Sequence, residues 1–334
     1  MRQYELAAER GLDHLTIVER DTPEVGAGEI LVRVRATSLN FHDYIVVMGW
    51  FPADDGRIPM SDGAGKVVAV GSDVSEFKPG DRVMGTFFAD WLDGPVDATR
   101  VSRMRGDQVD GYMAEYVARP AQDFTHIPDG LSFEEASTLP CAGLTAWRAL
   151  IVEAGIKPGD VVLVQGSGGV SIFALQFAQM AGATVIATTS SEAKAQKLRD
   201  LGANHVINYN ETPEWGQEAV RLTGGRGVDV LVEVVGGEGI VQSIAAVRTG
   251  GTIVLVGALS RKPLQFPMMG LLGGNKRMIG ITVASRRDQQ DMVAAIQASA
   301  MKPLVSDTFS FEKLADAFRH QEAHGHFGKI CVTI

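Results

Sequence analysis

The sequence predicts an α/β protein: a doubly wound parallel sheet of six strands beside a second, mostly β domain. Three observations predict it. Val161-Val162-Leu163-Val164-Gln165 runs straight into Gly166-Ser167-Gly168-Gly169-Val170-Ser171, and an apolar helical pattern follows through Phe173, Ala174, Phe177 and Ala178. Strand and helix patterns alternate from there to about residue 283. Residues 1–130 instead read as short strands separated by loops.

In the first part, Ile30–Thr37 alternates like a strand and Lys66–Val70 is an apolar strand. Lys78-Pro-Gly-Asp-Arg-Val83 is a turn feeding a third. Residues 86–111 form a charged loop with Asp90, Trp91, Asp93, Arg100, Arg103 and Arg105, and loops of this length are usually functional or mobile. Beyond the glycine cluster, Ala183–Thr188, His205–Ile207, Val228–Val235, Gly251–Val256 and Met278–Val283 read as strands. Glu192–Leu201 and Gly239–Val247 read as helices between them. The end of the chain reads as a return to the first domain: helices Gln289–Ala300 and Phe311–His320, then the apolar tail Lys329–Ile334. This layout places one domain at 1–142, completed by 284–334, with 143–283 inserted between them.

A strand that ends in glycines and restarts as a helix gathers free backbone N–H groups and a positive helix end at one point, the geometry that receives a pyrophosphate. The site so read comprises Gly166, Ser167, Gly168, Gly169 and Val170. Ser171 stands where the third glycine of the pattern is usual. An NAD site expects an acid at the end of the second strand, but the chain reads Ala187-Thr188-Thr189-Ser190-Ser191, with Thr189 at that place. The hydroxyls of Thr189, Ser190 and Ser191 and the cation of Lys194 suit a 2′-phosphate that a carboxylate would repel. NADPH is therefore expected over NADH.

The chain has 334 residues, a net charge of -9 and two cysteines, Cys141 and Cys331. The acidity argues against sequence-independent nucleic-acid binding, and two cysteines form neither a disulfide framework nor a four-cysteine zinc lobe. No apolar run spans a bilayer and Met1-Arg-Gln-Tyr-Glu-Leu is not a signal peptide, so the expectation is a cytoplasmic protein with a small-molecule substrate, not a membrane or nucleic-acid partner.

Six segments together resemble the medium-chain dehydrogenase/reductase superfamily, and most closely its zinc-independent, quinone-oxidoreductase-like and alcohol-dehydrogenase-like members. They are Ala36–Asn40, Met60–Gly65, Lys78–Val83, Leu139–Trp147, Gly166–Val170 and His326–Lys329. The resemblance implies a GroES-like substrate domain, a Rossmann cofactor domain, an active site in the cleft between them, and a homodimer paired through an edge of the cofactor sheet. In zinc-dependent relatives the catalytic ion has ligands where this chain places Asn40, Ser61 and Cys141. One amide, one hydroxyl and one thiol make a poor zinc site, and the loop matching the structural-zinc lobe has no cysteine, so no zinc is expected. His42, Asp62 and Cys141 form the one alternative ligand set.

Without a metal, quinones and enones are the easiest substrates, because their electron sinks are built in and hydrogen-bond donors suffice at the developing oxyanion. Asn40 is the candidate donor, with Asp62 beside it in the acidic position of the family. His42 falls where relatives keep a proton-relaying hydroxyl, and it reads either as a general acid or as a packed residue bonded to Asp43. Thr145 resembles a threonine that touches the nicotinamide, or else holds the linking helix. Tyr209 resembles a residue beside the adenosine, Val256-Gly257-Ala258 a stretch that meets the carboxamide, and Lys329 a residue that approaches the phosphates. The functional expectation is a zinc-independent, NADPH-preferring oxidoreductase acting on a quinone, enone or small carbonyl compound. The alternatives are an NAD(P)-dependent alcohol dehydrogenase, and a cofactor-binding regulatory or structural protein with little turnover.

Overall fold

The alternating segments become strands in the computed structural model, which describes residues 1–334. In chain order the first seven are β1 (Arg2–Glu5), β2 (Thr16–Glu19), β3 (Glu29–Ser38), β4 (Ala64–Val70), β5 (Arg82–Gly85), β6 (Tyr116–Pro120) and β7 (Phe124–His126). The next six are β8 (Val161–Gln165), β9 (Thr184–Thr189), β10 (His205–Asn208), β11 (Val228–Glu233), β12 (Val247–Leu255) and β13 (Arg277–Gly280). Last come β14 (Val305–Ser310) and β15 (Lys329–Thr333). Met1–Leu144 with Val283–Ile334 forms one unit and Thr145–Thr282 the other.

The first unit is organised by β3, whose ten residues serve three antiparallel partners. Glu29–Arg33 pairs with β6, Ile30–Ala36 with β4, and Ala36–Ser38 with β15. The seven-stranded sheet runs β14-β15-β3-β4-β5-β7, with β6 on β3. Alternate β3 residues Ile30, Val32 and Val34 point into a core with Tyr4, Val67, Val83, Tyr112, Phe124 and Phe318. Each such side chain contributes about 1.5–3 kcal/mol on burial.

The second unit is a six-stranded sheet in the order β10-β9-β8-β11-β12-β13, with every pair parallel. Register aligns Ile186, Leu163, Leu231, Ile253 and Met278 in one row across five strands. All but Met278 in that row are fully buried. Such rows, covered by helices, require the continuous apolar strands seen in the sequence. The strand order reverses between β8 and β11, and ligands of open α/β sheets bind at the carboxyl ends on either side of that point.

Several boundaries differ from expectation for visible reasons. β11 stops at Glu233 because the backbone N–H groups of Val235 and Gly236 turn back to its carboxylate, both at 2.9 Å. The helix expected from Gln289 begins at Arg286, because Ser285 caps it by accepting from Asp288 N and Asp288 reciprocates. The 86–111 loop is less exposed than its charge implied: Phe87, Phe88, Trp91, Arg105 and Asp107 are buried, and Arg105 is ion-paired to buried Asp123. The helices Phe41–Val47 and Trp215–Leu222 and the strand β14 were not anticipated.

Candidate active site

Three strand ends assemble the site of the first unit. Cys331 lies opposite Ser38 in the antiparallel β15–β3 pair, so Lys329 at the start of β15 comes beside Asn40, just past the end of β3. Thr37 Oγ1 donates to the backbone oxygen of Asp62 at 2.6 Å, which fixes the entry to β4. Asn40 also caps the helix Phe41–Val47, and Asp43 accepts from Asn40 N at 2.9 Å and from Ser61 N at 2.7 Å.

His42 Nε2 lies 3.0 Å from Asp107 Oδ2, and its Nδ1 lies 3.7 Å from Asp43 Oδ1. Both carboxylates are fully buried, whereas 16% of the His42 side chain is exposed. Phe51 and Phe87 meet the ring edge-on. Burial alone would lower the pKa of the imidazole, but the hydrogen bonds and charges of Asp107 and Asp43 outweigh it and raise it to about 9. His42 is therefore an imidazolium at neutral pH. Asp43 is likewise dominated by its partners: burial pushes its pKa up, but His42 and Ser61 bring it below the usual carboxylate value.

Asn40, Asp62 and Lys329 form a closed network, which corrects two expectations. The Asn40 amide, expected to face an oxyanion, donates to Asp62 Oδ2 at 2.8 Å and Ser61 Oγ at 3.3 Å, while its oxygen accepts from Lys329 Nζ at 2.5 Å. All its hydrogen-bonding capacity is spent internally, so it has no free donor for substrate. Lys329, expected near the cofactor phosphates, has a side chain only 3% exposed, and its ammonium is bonded to Leu39 O at 2.6 Å as well. Register in β15, not sequence proximity, decides that orientation. Asp62 accepts further from Ser38 Oγ at 2.5 Å and Cys141 N at 2.9 Å. Burial raises its pKa against the pull of Lys329.

The zinc ligand set of the family does not fit these residues. Asn40 and Asp62 already satisfy one another and Lys329, and burial together with the Asp62 charge holds the Cys141 thiol well above the usual thiol pKa. No three His, Cys, Asp or Glu side chains converge as a metal site requires, so His42, Asp62 and Cys141 are not gathered either.

In the second unit the glycine turn has the geometry of a phosphate cradle. Gly166 has φ +72°, outside the range comfortable for other residues, and a Cβ at Gly166 or Gly168 would project into open space where a phosphate fits. Ser167 is buried, and Gly169 and Val170 open the twelve-residue helix Gly169–Met180, whose N-terminal amides face that space. Ser171 does not loosen the helix: it is buried and donates to Gln165 O at 2.6 Å, tying helix to strand. These residues fit a dinucleotide.

The adenosine end is shaped by the tips of β9 and β10. Tyr209 N donates to Thr189 O at 2.9 Å, and the Tyr209 side chain stays exposed beside it. Ser190 is exposed and Lys194 is partly buried on the first turn of the following helix. Thr189, at the end of β9, is only 2% exposed. Ser191 caps the helix by accepting from Lys194 N at 3.4 Å, so its role is to place Lys194. Thr145 is buried. Val256, Gly257 and Ala258 follow β12, and a Cβ on Gly257 would stand 2.8 Å from Val234 O, so only glycine permits this approach.

Two functional features escaped the sequence reading. Asp107, the partner of His42, lies 65 positions away. Glu233 is fully buried at the carboxyl end of β11, where Gln165 Nε2 donates at 3.0 Å and Ser243 Oγ at 2.5 Å. With the two backbone amides, four donors hold this carboxylate and fix the loop after β11 against the end of β8. An acid closing the apolar run Val230–Val232 was the available signal.

Comparison with known proteins agrees with this architecture. Residues 26–129 match the alcohol dehydrogenase GroES-like domain and residues 169–298 the zinc-binding dehydrogenase family. A zinc-type alcohol dehydrogenase-like protein from Schizosaccharomyces pombe is 41% identical, covering 97% of this chain and 96% of its own. A solved NAD-dependent alcohol dehydrogenase superposes with TM-score 0.92 at 33% identity, covering 100% of both chains. A crotonyl-CoA carboxylase/reductase solved in complex with NADP superposes with TM-score 0.89 at 25% identity, covering 100% of this chain and 94% of the other. The six-stranded parallel sheet, its glycine turn and these matches place the chain in the medium-chain dehydrogenase/reductase superfamily, as an NAD(P)-dependent oxidoreductase with a GroES-like and a Rossmann-type domain.

Proposed function

We propose that this protein is a metal-independent, NADPH-preferring reductase of a quinone, enone or small carbonyl compound, with His42 as proton donor. One observation carries the reading: a partly exposed imidazolium is held by two buried carboxylates, Asp107 and Asp43. A bound reduced nicotinamide supplies the hydride. His42 offers positive charge to the oxygen where negative charge develops and, once its Nε2–H turns from Asp107, the proton that quenches it. Asp107 and Asp43 keep the ring charged and oriented. Asn40, Asp62 and Lys329 form the rigid floor on which the His42 helix begins.

The cofactor preference rests on the absence of an acid across Ala187–Ser191 and on Lys194 at the adenosine end. The NADP held by the crotonyl-CoA carboxylase/reductase agrees with it, and the NAD-dependent relative supplies the competing expectation. The alcohol dehydrogenases among the relatives also favour a second reading, oxidation of a small alcohol with neutral His42 as base. A homodimer through the open edge strand β13 belongs to the same proposal. No helix is long and apolar enough to cross a membrane.

The test is NADPH and NADH consumption over quinones, enones, enoyl thioesters, aldehydes and ketones, before and after exhaustive chelation. Turnover of a quinone or enone that survives chelation supports the reading. Turnover confined to alcohols supports the second reading, and turnover abolished by chelation and restored by zinc refutes the metal-independent one.

A further inference from the structure

Lys329 is a buried lysine that the proposed chemistry leaves without a task. Its Nζ lies 2.5 Å from Asn40 Oδ1, 2.6 Å from Leu39 O and 3.5 Å from Asp62 Oδ2. Neither Lys329 nor Asp62 is solvated, and a buried ammonium or carboxylate persists only when paired and hydrogen-bonded. Asp62 receives three more donors, from Ser38, Asn40 and Cys141, the hydrogen bonding of an ionised carboxylate. The cation thus sits among the very side chains, Asn40, Asp62 and Cys141, that line up with the metal-binding region of zinc-containing relatives.

We propose that the Lys329 ammonium is the resident cation of this pocket: it neutralises Asp62, uses the Asn40 carbonyl that an ion would need, and makes the pocket reject a divalent metal. Two effects combine. A divalent ion brought beside Asn40 and Asp62 would meet a fixed positive charge a few ångströms away with little solvent to screen it. It would also have to displace three satisfied hydrogen bonds of Lys329 or strip Asp62 of its donors. Lys329 is in this sense a positioning residue, holding Asn40 and hence the first turn of the His42 helix. The inference deepens the metal-independent reading and rests on it.

The test compares the wild-type protein with Lys329→Arg, Lys329→Met, Asp62→Asn and the Lys329→Met/Asp62→Asn double variant. Thermal midpoints and absorption during cobalt(II) titration of the chelated proteins are read in parallel. Each neutral single variant should lose on the order of 10 °C, because it strands the opposite charge, and the double variant should recover most of that loss. Lys329→Arg should stay nearer the wild type than Lys329→Met. Wild type should show no cobalt band. If Lys329→Met does not fold, a soluble double variant supports the pairing and an equally insoluble one overturns it. Additive losses in the double variant overturn the inference while leaving metal-free turnover by the wild type untouched. One equivalent of cobalt in the wild type, with activity that depends on it, overturns the inference and the metal-independent reading together.

Discussion

Asp107 Oδ2 lies 3.0 Å from His42 Nε2, and the carboxylate is fully buried while 16% of the His42 side chain is exposed. The loop that carries Asp107 therefore serves the first turn of a helix far away in sequence. Replacing His42 by Asn should lower kcat/KM for carbonyl or enone reduction by about 100- to 10,000-fold, the usual range for a lost general acid. Affinity for NADPH, measured by fluorescence titration, should stay within roughly twofold.

Asp107→Asn removes the leading partner that raises the His42 pKa, so the imidazole should titrate nearer its ordinary value of 6.5. The pH–rate profile of kcat/KM reports that change. Its high-pH limb, expected near 9 in the wild type, should move down by roughly one unit or more. An unmoved limb would show that another group controls it.

Stability should carry the same signature. The folded-state pKa of His42, about 9, lies above the 6.5 of the unfolded chain, so protonated His42 stabilises the fold fully below pH 6.5. That contribution, at most about 3 kcal/mol, is lost as pH rises from 6.5 through 9. Urea denaturation midpoints should therefore fall over this interval in the wild type and fall less in His42→Asn.

Lys194→Ala should weaken NADPH by about 10- to 100-fold and NADH by less than about threefold, if the ammonium meets the 2′-phosphate. Isothermal titration with both cofactors separates this from a general loss, in which the two would weaken equally.

Glu233→Ala strands four donors from Gln165, Ser243, Val235 and Gly236 in a buried place. A loss of about 3 kcal/mol is expected by denaturant titration. The loop after β11 should also become more open to amide hydrogen exchange than the phosphate turn.

The sheet of the second unit was legible because its strands are continuous apolar runs and its first turn is a glycine cluster, both local patterns. His42 was legible as a chemical residue in a loop, and Lys194 as a cation where an acid is usual. What escaped was set by pairing between distant segments. Asn40 looked like a free amide, but strand register brings Lys329 beside it, and the positions that meet in an antiparallel ladder are 289 residues apart. Thr189 is more buried than its hydroxyl chemistry suggested, because helices cover both faces of β9. Asp107 was one acid among several in a charged loop, and only tertiary packing singles it out.

Under the proposed function His42, not a metal ion, governs proton chemistry. The most direct measurement is the pH dependence of kcat/KM for NADPH-driven reduction of a quinone or enone by the exhaustively chelated protein. The account predicts undiminished activity at neutral pH that declines above about 9, with the decline moved to lower pH in Asp107→Asn. Activity that vanishes on chelation and returns with zinc, or a profile indifferent to Asp107→Asn, would contradict it.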